Sequence, residues 1–371
     1  MINVAFTGGG TGGHIYPGLA VAAQLKKLAG PDVRFFWIGS SAGMDRALVE
    51  EAGLEFFGVP SGKLRRYFSL RTFIDFFKVA AGFFASRRIL KKQKAMLLFS
   101  KGGFVSVPPC AAASSLKIPV FTHESDFSPG LATKLNARSV SKTGGRIFTA
   151  YEGTTSFFSQ KIRDKIVLCA NPVRAAFRNA DPAKGRAFLG VSNDTRILLV
   201  LGGSQGAAQV NELVRAALPE LTKIFTVVHQ TGTALSWDVP PSEKYKPLSY
   251  IKEEMPHVMA AAEMIMGRSG AGIWEWAVLG KPMLLIPLRG SGTRGDQIEN
   301  AEFFKEAGAA FVFDADVKAV DIVEASVSLA NNVEKREAMA AASAKIGERD
   351  GAEQIALVLL EKINLIMEEM K

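Results

Sequence analysis

Two glycine-rich turns carry the residues of this chain best suited to chemistry. The first, Thr7-Gly-Gly-Gly-Thr-Gly-Gly-His-Ile-Tyr-Pro-Gly, follows the apolar run 2–6. The second, Gly202-Gly-Ser-Gln-Gly, follows Arg196-Ile-Leu-Leu-Val-Leu and repeats the same order of parts. Glycines let a backbone approach a ligand closely, and the start of a following helix favours an anion. Gly8, Gly10 and Gly13 match the G-x-G-x-x-G dinucleotide pattern. A nicotinamide site also needs an acid at the end of the second strand, about 20 residues on, to hold the ribose. Here that strand, expected at 33–38, ends in Gly39-Ser40-Ser41. The turns therefore read as sites for a phosphate or diphosphate without NAD, the plainer alternative being tight turns that bind nothing. His14, one residue past the first glycines, has the side chain best matched to proton transfer near neutral pH. Its plainer alternative is local hydrogen bonding.

Such turns must sit at strand ends. Short apolar runs alternate with helical segments, the pattern of parallel sheets covered by helices. Strands are expected at 2–6, 33–38, 54–58, 95–100, 118–122 and 146–149, then from Arg196, near 225–229, 248–251, 263–267, 282–287 and 310–313. The fold class is α/β, with two Rossmann-like, doubly wound parallel-sheet domains. The join is expected near Ala170-Asn171-Pro172, where proline stops regular structure. This divides the chain into 1–170, 171–352 and an apolar C-terminal helix, 353–371. Ligands of doubly wound sheets bind outside the carboxyl ends of the strands. Two such domains facing across a cleft would serve two substrates.

Composition narrows the partners. The chain has 371 residues and two cysteines, Cys110 and Cys169, far apart and without CxxC spacing. That suits a reducing compartment and gives neither a disulfide framework nor a cysteine-rich zinc site. A strand expected from residue 2 leaves no room for a secretory signal, and no apolar run reaches the length of a membrane span. The net charge is +9, and segment 61–94 alone accounts for as much, with ten Lys or Arg against Asp75. The same segment carries seven aromatic residues. Basic residues interleaved with large apolar ones describe a segment lying on an anionic phospholipid surface, each cation contributing roughly 1 kcal/mol. Tyr67, Phe68 and the cations Arg65, Arg66, Arg87 and Arg88 are expected at that surface. The helical spacing of Phe73, Phe76, Phe77, Ala80 and Phe84 predicts that these pack inward under the sheet. No nucleic-acid-binding motif accompanies the charge, so nucleic acid is not expected as a partner.

Seven motifs in order carry a resemblance. They are the first glycine turn, Ser100-Lys-Gly-Gly-Phe-Val-Ser-Val-Pro, His123-Glu-Ser-Asp-Phe-Ser-Pro-Gly, Asn171-Pro-Val-Arg, the second glycine turn, Arg268-Ser-Gly-Ala-Gly and Gly295-Asp-Gln-Ile-Glu-Asn-Ala. From about residue 2 to 315 the chain resembles the MurG family of peptidoglycan N-acetylglucosaminyltransferases. The resemblance implies a GT-B fold, a final helix that returns to the first domain, UDP-GlcNAc as donor and lipid I as acceptor. It also implies inverting transfer that yields lipid II, and a peripheral place on the cytoplasmic face of the cell membrane beside the cell-wall synthesis machinery.

By the same resemblance, Ser204 and Arg174 meet the donor diphosphate, where charge develops as UDP leaves. Ile251 meets uracil through its backbone, Glu275 the ribose hydroxyls, and Gln297 the GlcNAc hydroxyls. Thr11, Gly12 and Gly13 meet the lipid-linked acceptor. Inverting transfer needs a base and no covalent intermediate; His14, Glu124 and Asp126 are the candidates. For Glu124 and Asp126 the plainer alternative is capping a helix expected near Ser128. Phe104, Asp126 and Ala170 replace the family's more frequent tyrosine, asparagine and glycine, and the 268–275 loop is one residue short. No cofactor and no metal are expected: Asp314-Ala-Asp316 lies away from the glycine turns, and His123, His229 and His257 lack metal-ligand spacing. Rival readings are a GT-B enzyme acting on diacylglycerol, a nicotinamide oxidoreductase and a non-catalytic sugar-nucleotide sensor.

Overall fold

A computed structural model of the chain describes residues 2–42, 45–62, 70–290 and 293–369, with 70–74 described as backbone only. It divides into two compact units, Met1–Arg174 with Asp350–Lys371, and Ala175–Arg349.

The first unit is built on a seven-stranded sheet: β1 (Ile2–Thr7), β2 (Val33–Ser40), β3 (Glu55–Val59), β4 (Ala95–Ser100), β5 (Val120–Glu124), β6 (Ile147–Thr149) and β7 (Ile166–Leu168). Their spatial order is β3-β2-β1-β4-β5-β6-β7, and every pair is parallel. The chain thus reverses its direction of growth between β1 and β4, where doubly wound sheets bind ligands. Core layers cover both faces. Ile15, Leu19 and Leu25 of the Gly12–Ala29 helix pack in one of them. The C-terminal helix Gly351–Glu369 joins the same layer through Ile355, Leu359 and Ile363, so the end of the chain closes the core begun by β1.

The second unit repeats the plan with β8 (Ile197–Leu201), β9 (Thr226–Gln230), β10 (Tyr245–Leu248), β11 (Met264–Gly267), β12 (Met283–Leu285) and β13 (Ala310–Val312). Spatial order is β10-β9-β8-β11-β12-β13, again all parallel. All five residues of β8 are buried, as a strand covered on both faces requires.

Three details differ from the sequence expectations. β7 was not expected; it is a short edge strand of half-buried and exposed residues, too short for a hydrophobic pattern. β10 lies three residues before 248–251 and contains Pro247, which a sheet edge tolerates because one side of the strand needs no partner. The third concerns the Leu70–Lys92 helix. Phe76, Phe77 and Phe84, expected inward, are 62%, 58% and 69% exposed. The face turned to the protein instead carries Asp75, Gly82, Ser86 and Leu90. Gly82 is required there, since a side chain would strike the Pro60 carbonyl. Small residues let this helix lie close, and its phenylalanines are left outside. No described helix is long and apolar enough to cross a membrane.

Candidate active site

In the first unit, β1 ends at Thr7 and the Gly12–Ala29 helix starts after the N-cap residue Thr11. Thr11 makes no side-chain cap bond, and only its carbonyl accepts from the first turn, from the His14 N–H at 3.0 Å. The turn between is held by an acid the sequence reading missed. Asp45, buried at the start of the Asp45–Glu51 helix, accepts from the Gly10 N–H at 3.1 Å and from the Ser40 N–H at 3.0 Å. A side chain on Gly9 would overlap its carboxylate. A carboxylate therefore does reach the end of β2, but both its oxygens hold backbone. Gly10 has φ +87°, a conformation suited to glycine, and the Phe104 ring lies where its side chain would be.

The loop after β4 completes this floor. Gly102 and Gly103 have φ +89° and +77°, and the His14 ring packs where a side chain on Gly103 would stand. Buried Asn136 donates to Ser100 Oγ at 3.2 Å and Ser106 Oγ at 2.9 Å, while Ser106 donates to the Gly103 carbonyl. Loop 125–130 is organised by Glu124. Its Oε1 accepts from the Ser125 and Asp126 N–H groups, and its Oε2 from the Gly130 N–H and the Thr133 hydroxyl at 2.6 Å. The helix expected near Ser128 begins at Leu131, and Glu124 secures its first turn. Asp126 is half-buried in the same loop. Arg174, assigned by resemblance to the donor diphosphate, has its guanidinium 4.4 Å from the ring centroid of Tyr16, on the helix after the first glycine turn.

In the second unit the turn 202–206 leads to the Ala208–Leu221 helix, whose N-cap Ala207 has no capping side chain. Elsewhere in this unit Asp181 and Asn332 do cap their helices. Ser204 is exposed, and its carbonyl accepts from the Thr233 N–H and hydroxyl. Gly206 and Gly232, both left-handed, approach so closely that a side chain on either would strike backbone of the other's loop. Gln230, at the end of β9, spans the site: its amide donates to the Gly203 carbonyl at 3.4 Å and accepts from the Ile251 N–H at 3.0 Å. Ile251, assigned by resemblance to uracil, is buried with its N–H so engaged. Behind them His229 bridges Tyr245 Oη at 3.0 Å and Asn211 Oδ1 at 3.2 Å, and Asn211 donates to the Thr231 carbonyl. Burial holds the His229 imidazole down at about 4.

Glu275 is half-buried on the Ile273–Val278 helix after loop 268–272. Gln297, in the first turn of the Asp296–Glu306 helix, accepts from the Leu288 N–H through Oε1, which leaves Nε2 toward Gly270. Ser269 donates to the Gln297 carbonyl at 2.6 Å, and buried Asn300 donates to the Ser269 carbonyl. Gln297 is thus tied to the short loop that precedes Glu275. Asp45, Asn136, Gln230, Ser269 and Asn300 went unremarked in the sequence. Asn300 and Ser269 lie inside quoted motifs, the one signal available for them.

Family models match both units: the glycosyltransferase family 28 N-terminal domain over residues 4–144 and its C-terminal domain over 197–355. A Treponema denticola protein named UDP-N-acetylglucosamine--N-acetylmuramyl-(pentapeptide) pyrophosphoryl-undecaprenol N-acetylglucosamine transferase is 50% identical over 328 residues, 83% of this chain and 82% of that one. A Treponema pallidum protein of the same name is 44% identical over 365 residues, 95% and 94% of the two chains. Among solved structures, MurG of Acinetobacter baumannii superposes with a TM-score of 0.69 at 23% identity, covering 98% of this chain and 100% of that one. A Neisseria meningitidis UDP-GlcNAc 2-epimerase bound to UDP-GlcNAc gives 0.66 at 16% identity, with 98% and 100% covered. These two share the fold. The chain belongs to glycosyltransferase family 28 and, within it, to the MurG family.

Proposed function

We infer that this protein is an N-acetylglucosaminyltransferase that moves GlcNAc from UDP-GlcNAc to the lipid-linked MurNAc-pentapeptide of lipid I, forming lipid II in peptidoglycan synthesis. The observation that carries this reading is 50% identity, over most of both chains, to a relative with that transferase name. The two uncapped helix starts after glycine turns support it, one for each diphosphate-bearing substrate.

The donor belongs to the second unit in this proposal. Ser204 and the first-turn N–H groups of Ala208–Leu221 meet the diphosphate, Ile251 the uracil, Glu275 the ribose and Gln297 the GlcNAc. Arg174 adds its charge to the leaving diphosphate when it is not stacked on Tyr16. The first unit takes the acceptor at Thr11, Gly12 and Gly13. The acceptor hydroxyl attacks the anomeric carbon as the bond to the UDP oxygen breaks, and one displacement inverts the centre. The hydroxyl proton passes to a base. Glu124 already accepts three hydrogen bonds from the following loop and one from Thr133, which favours Asp126 or His14 for that role.

Membrane attachment is proposed through the exposed Phe76, Phe77 and Phe84 with the cations of the same helix. Phe84, Arg87, Arg88, Lys91 and Lys92 line a shallow groove there. Arg65, Arg66, Tyr67 and Phe68 lie outside the described residues. This chemistry suits an anionic phospholipid surface on the cytoplasmic side. Binding to phosphatidylglycerol vesicles should weaken at high salt and in a Phe76→Ser/Phe77→Ser variant; unchanged binding in both would refute the attachment.

The test of function is transfer of labelled GlcNAc from UDP-GlcNAc to a lipid I analogue, with diacylglycerol as a competing acceptor. Labelled lipid II is expected. Label on diacylglycerol alone, or on neither acceptor, would overturn the reading.

A further inference from the structure

Beneath the first glycine turn lies a cation that no role above explains. Lys101 directly follows β4, and its N–H donates to the Thr7 carbonyl at 2.8 Å. Its side chain is fully buried, with its Cβ just under Gly8 and Gly18. A side chain on Gly8 would begin 3.2 Å from that atom, and one on Gly18 3.5 Å from it. The Nζ group donates to Ser125 Oγ at 3.2 Å, in the loop between the two acids Glu124 and Asp126.

The charged and titratable groups facing Lys101 come from every neighbouring element. They are His123 and Glu124 of β5, Asp126 of the following loop, and Cys169 just beyond β7. Burial lowers the lysine, and Glu124, Asp126 and Cys169 act against it in that order. Burial also holds His123 well below its ordinary range, with Lys101 adding to the effect, so His123 supplies no second cation. Burial raises the Cys169 thiol, which supplies no anion at neutral pH. The ammonium therefore stands against two carboxylates, one at the end of β5 and one in the loop that follows it. An ammonium this deep persists only when paired. A cation beside an acid favours the acid's charged form.

The two acids would respond differently to its loss. Glu124 is held in place by three N–H groups of the loop and by the Thr133 hydroxyl. Asp126 is the more exposed of the two and would take up the proton.

We propose that Lys101 is a positioning residue for transfer: its buried ammonium anchors loop 125–130 through Ser125 and keeps the Asp126 carboxylate ionised, ready to receive the acceptor's proton. The proposal rests on the acceptor-side reading given above. It differs from simple packing support because it concerns the charge, not the volume, of the side chain.

The test is titration of the Asp126 carboxyl carbon by NMR in the full chain, assigned with Asp126→Asn and compared with Lys101→Met. UDP binding by each protein serves as the control for folding. The expected result is an upward shift of the Asp126 midpoint by about one pH unit or more in Lys101→Met, with UDP affinity unchanged. The acid limb of the transfer pH profile should move with it. Lys101→Arg, which keeps the charge, should stay with the parent. Lys101→Gln, which keeps a donor for Ser125, replaces the Met variant if that does not fold. An unmoved Asp126 midpoint in a neutral variant would overturn the proposal. The NMR reading does not depend on turnover, so failure of the parent protein to glycosylate lipid I would fall on the functional reading instead.

Discussion

The two glycine turns share a plan and differ in what braces them. In the first unit the braces carry charge: Asp45 holds Gly10 and Ser40, Lys101 lies beneath Gly8, and Glu124 binds the neighbouring loop. In the second they are neutral. Gln230 spans Gly203 and Ile251, and His229, with its pKa near 4, joins Asn211 to Tyr245. A buried charge that loses a partner costs more than a buried neutral amide that does. The first turn should therefore be the more fragile to mutation. The second should respond to acid through His229, as pH falls below its ordinary 6.5.

The largest effect expected from this contrast at neutral pH is that of Asp45→Ala. It leaves the buried Ser40 N–H and the partly exposed Gly10 N–H without their acceptor and should cost about 2 kcal/mol of stability. Urea unfolding would measure that loss. Kinetics should show a KM for the lipid I analogue raised roughly tenfold, with UDP-GlcNAc hardly affected. An equal loss for both substrates would break the division of labour between the turns.

Next comes acid stability. The folded His229 pKa of about 4 lies below its ordinary 6.5, so between those values the unfolded chain binds more protons. Stability then rises with pH through that window and is lost as pH falls through it, by about 3 kcal/mol in full. His229→Gln should flatten melting temperature against pH over this range. A slope identical to the parent's would place the acid sensitivity elsewhere.

The smallest effect is expected for Gln230→Leu. It removes one neutral bond to Ile251 and a longer one to Gly203, so UDP affinity should fall about fivefold, close to 1 kcal/mol. Isothermal titration with UDP would detect it. Unchanged affinity would mean that the turn keeps its shape without the amide.

The sheets were largely legible because a buried parallel strand is a short apolar run, and β1, β4 and β8 are such runs. β7 and β10 fail that test, being short, half-exposed edge strands, one with a proline. The phenylalanines of the Leu70–Lys92 helix misled for a physical reason. Helical spacing marks a stripe but not the side it faces, and here the protein side is chosen by Gly82, Ser86 and buried Asp75. The residues proposed to touch substrate were chosen from the motifs and the resemblance they carry. Their supports were not, because Asp45 meets Gly10 and Asn300 meets Ser269 across long stretches of chain.

The most direct test of this account varies both substrates in one transfer assay, with Asp45→Ala and Gln230→Leu run beside the parent. The account predicts that the first variant raises only the KM for the lipid I analogue and the second only that for UDP-GlcNAc. If each variant weakened both substrates alike, or the pattern were reversed, the assignment of acceptor to the first turn and donor to the second would be wrong.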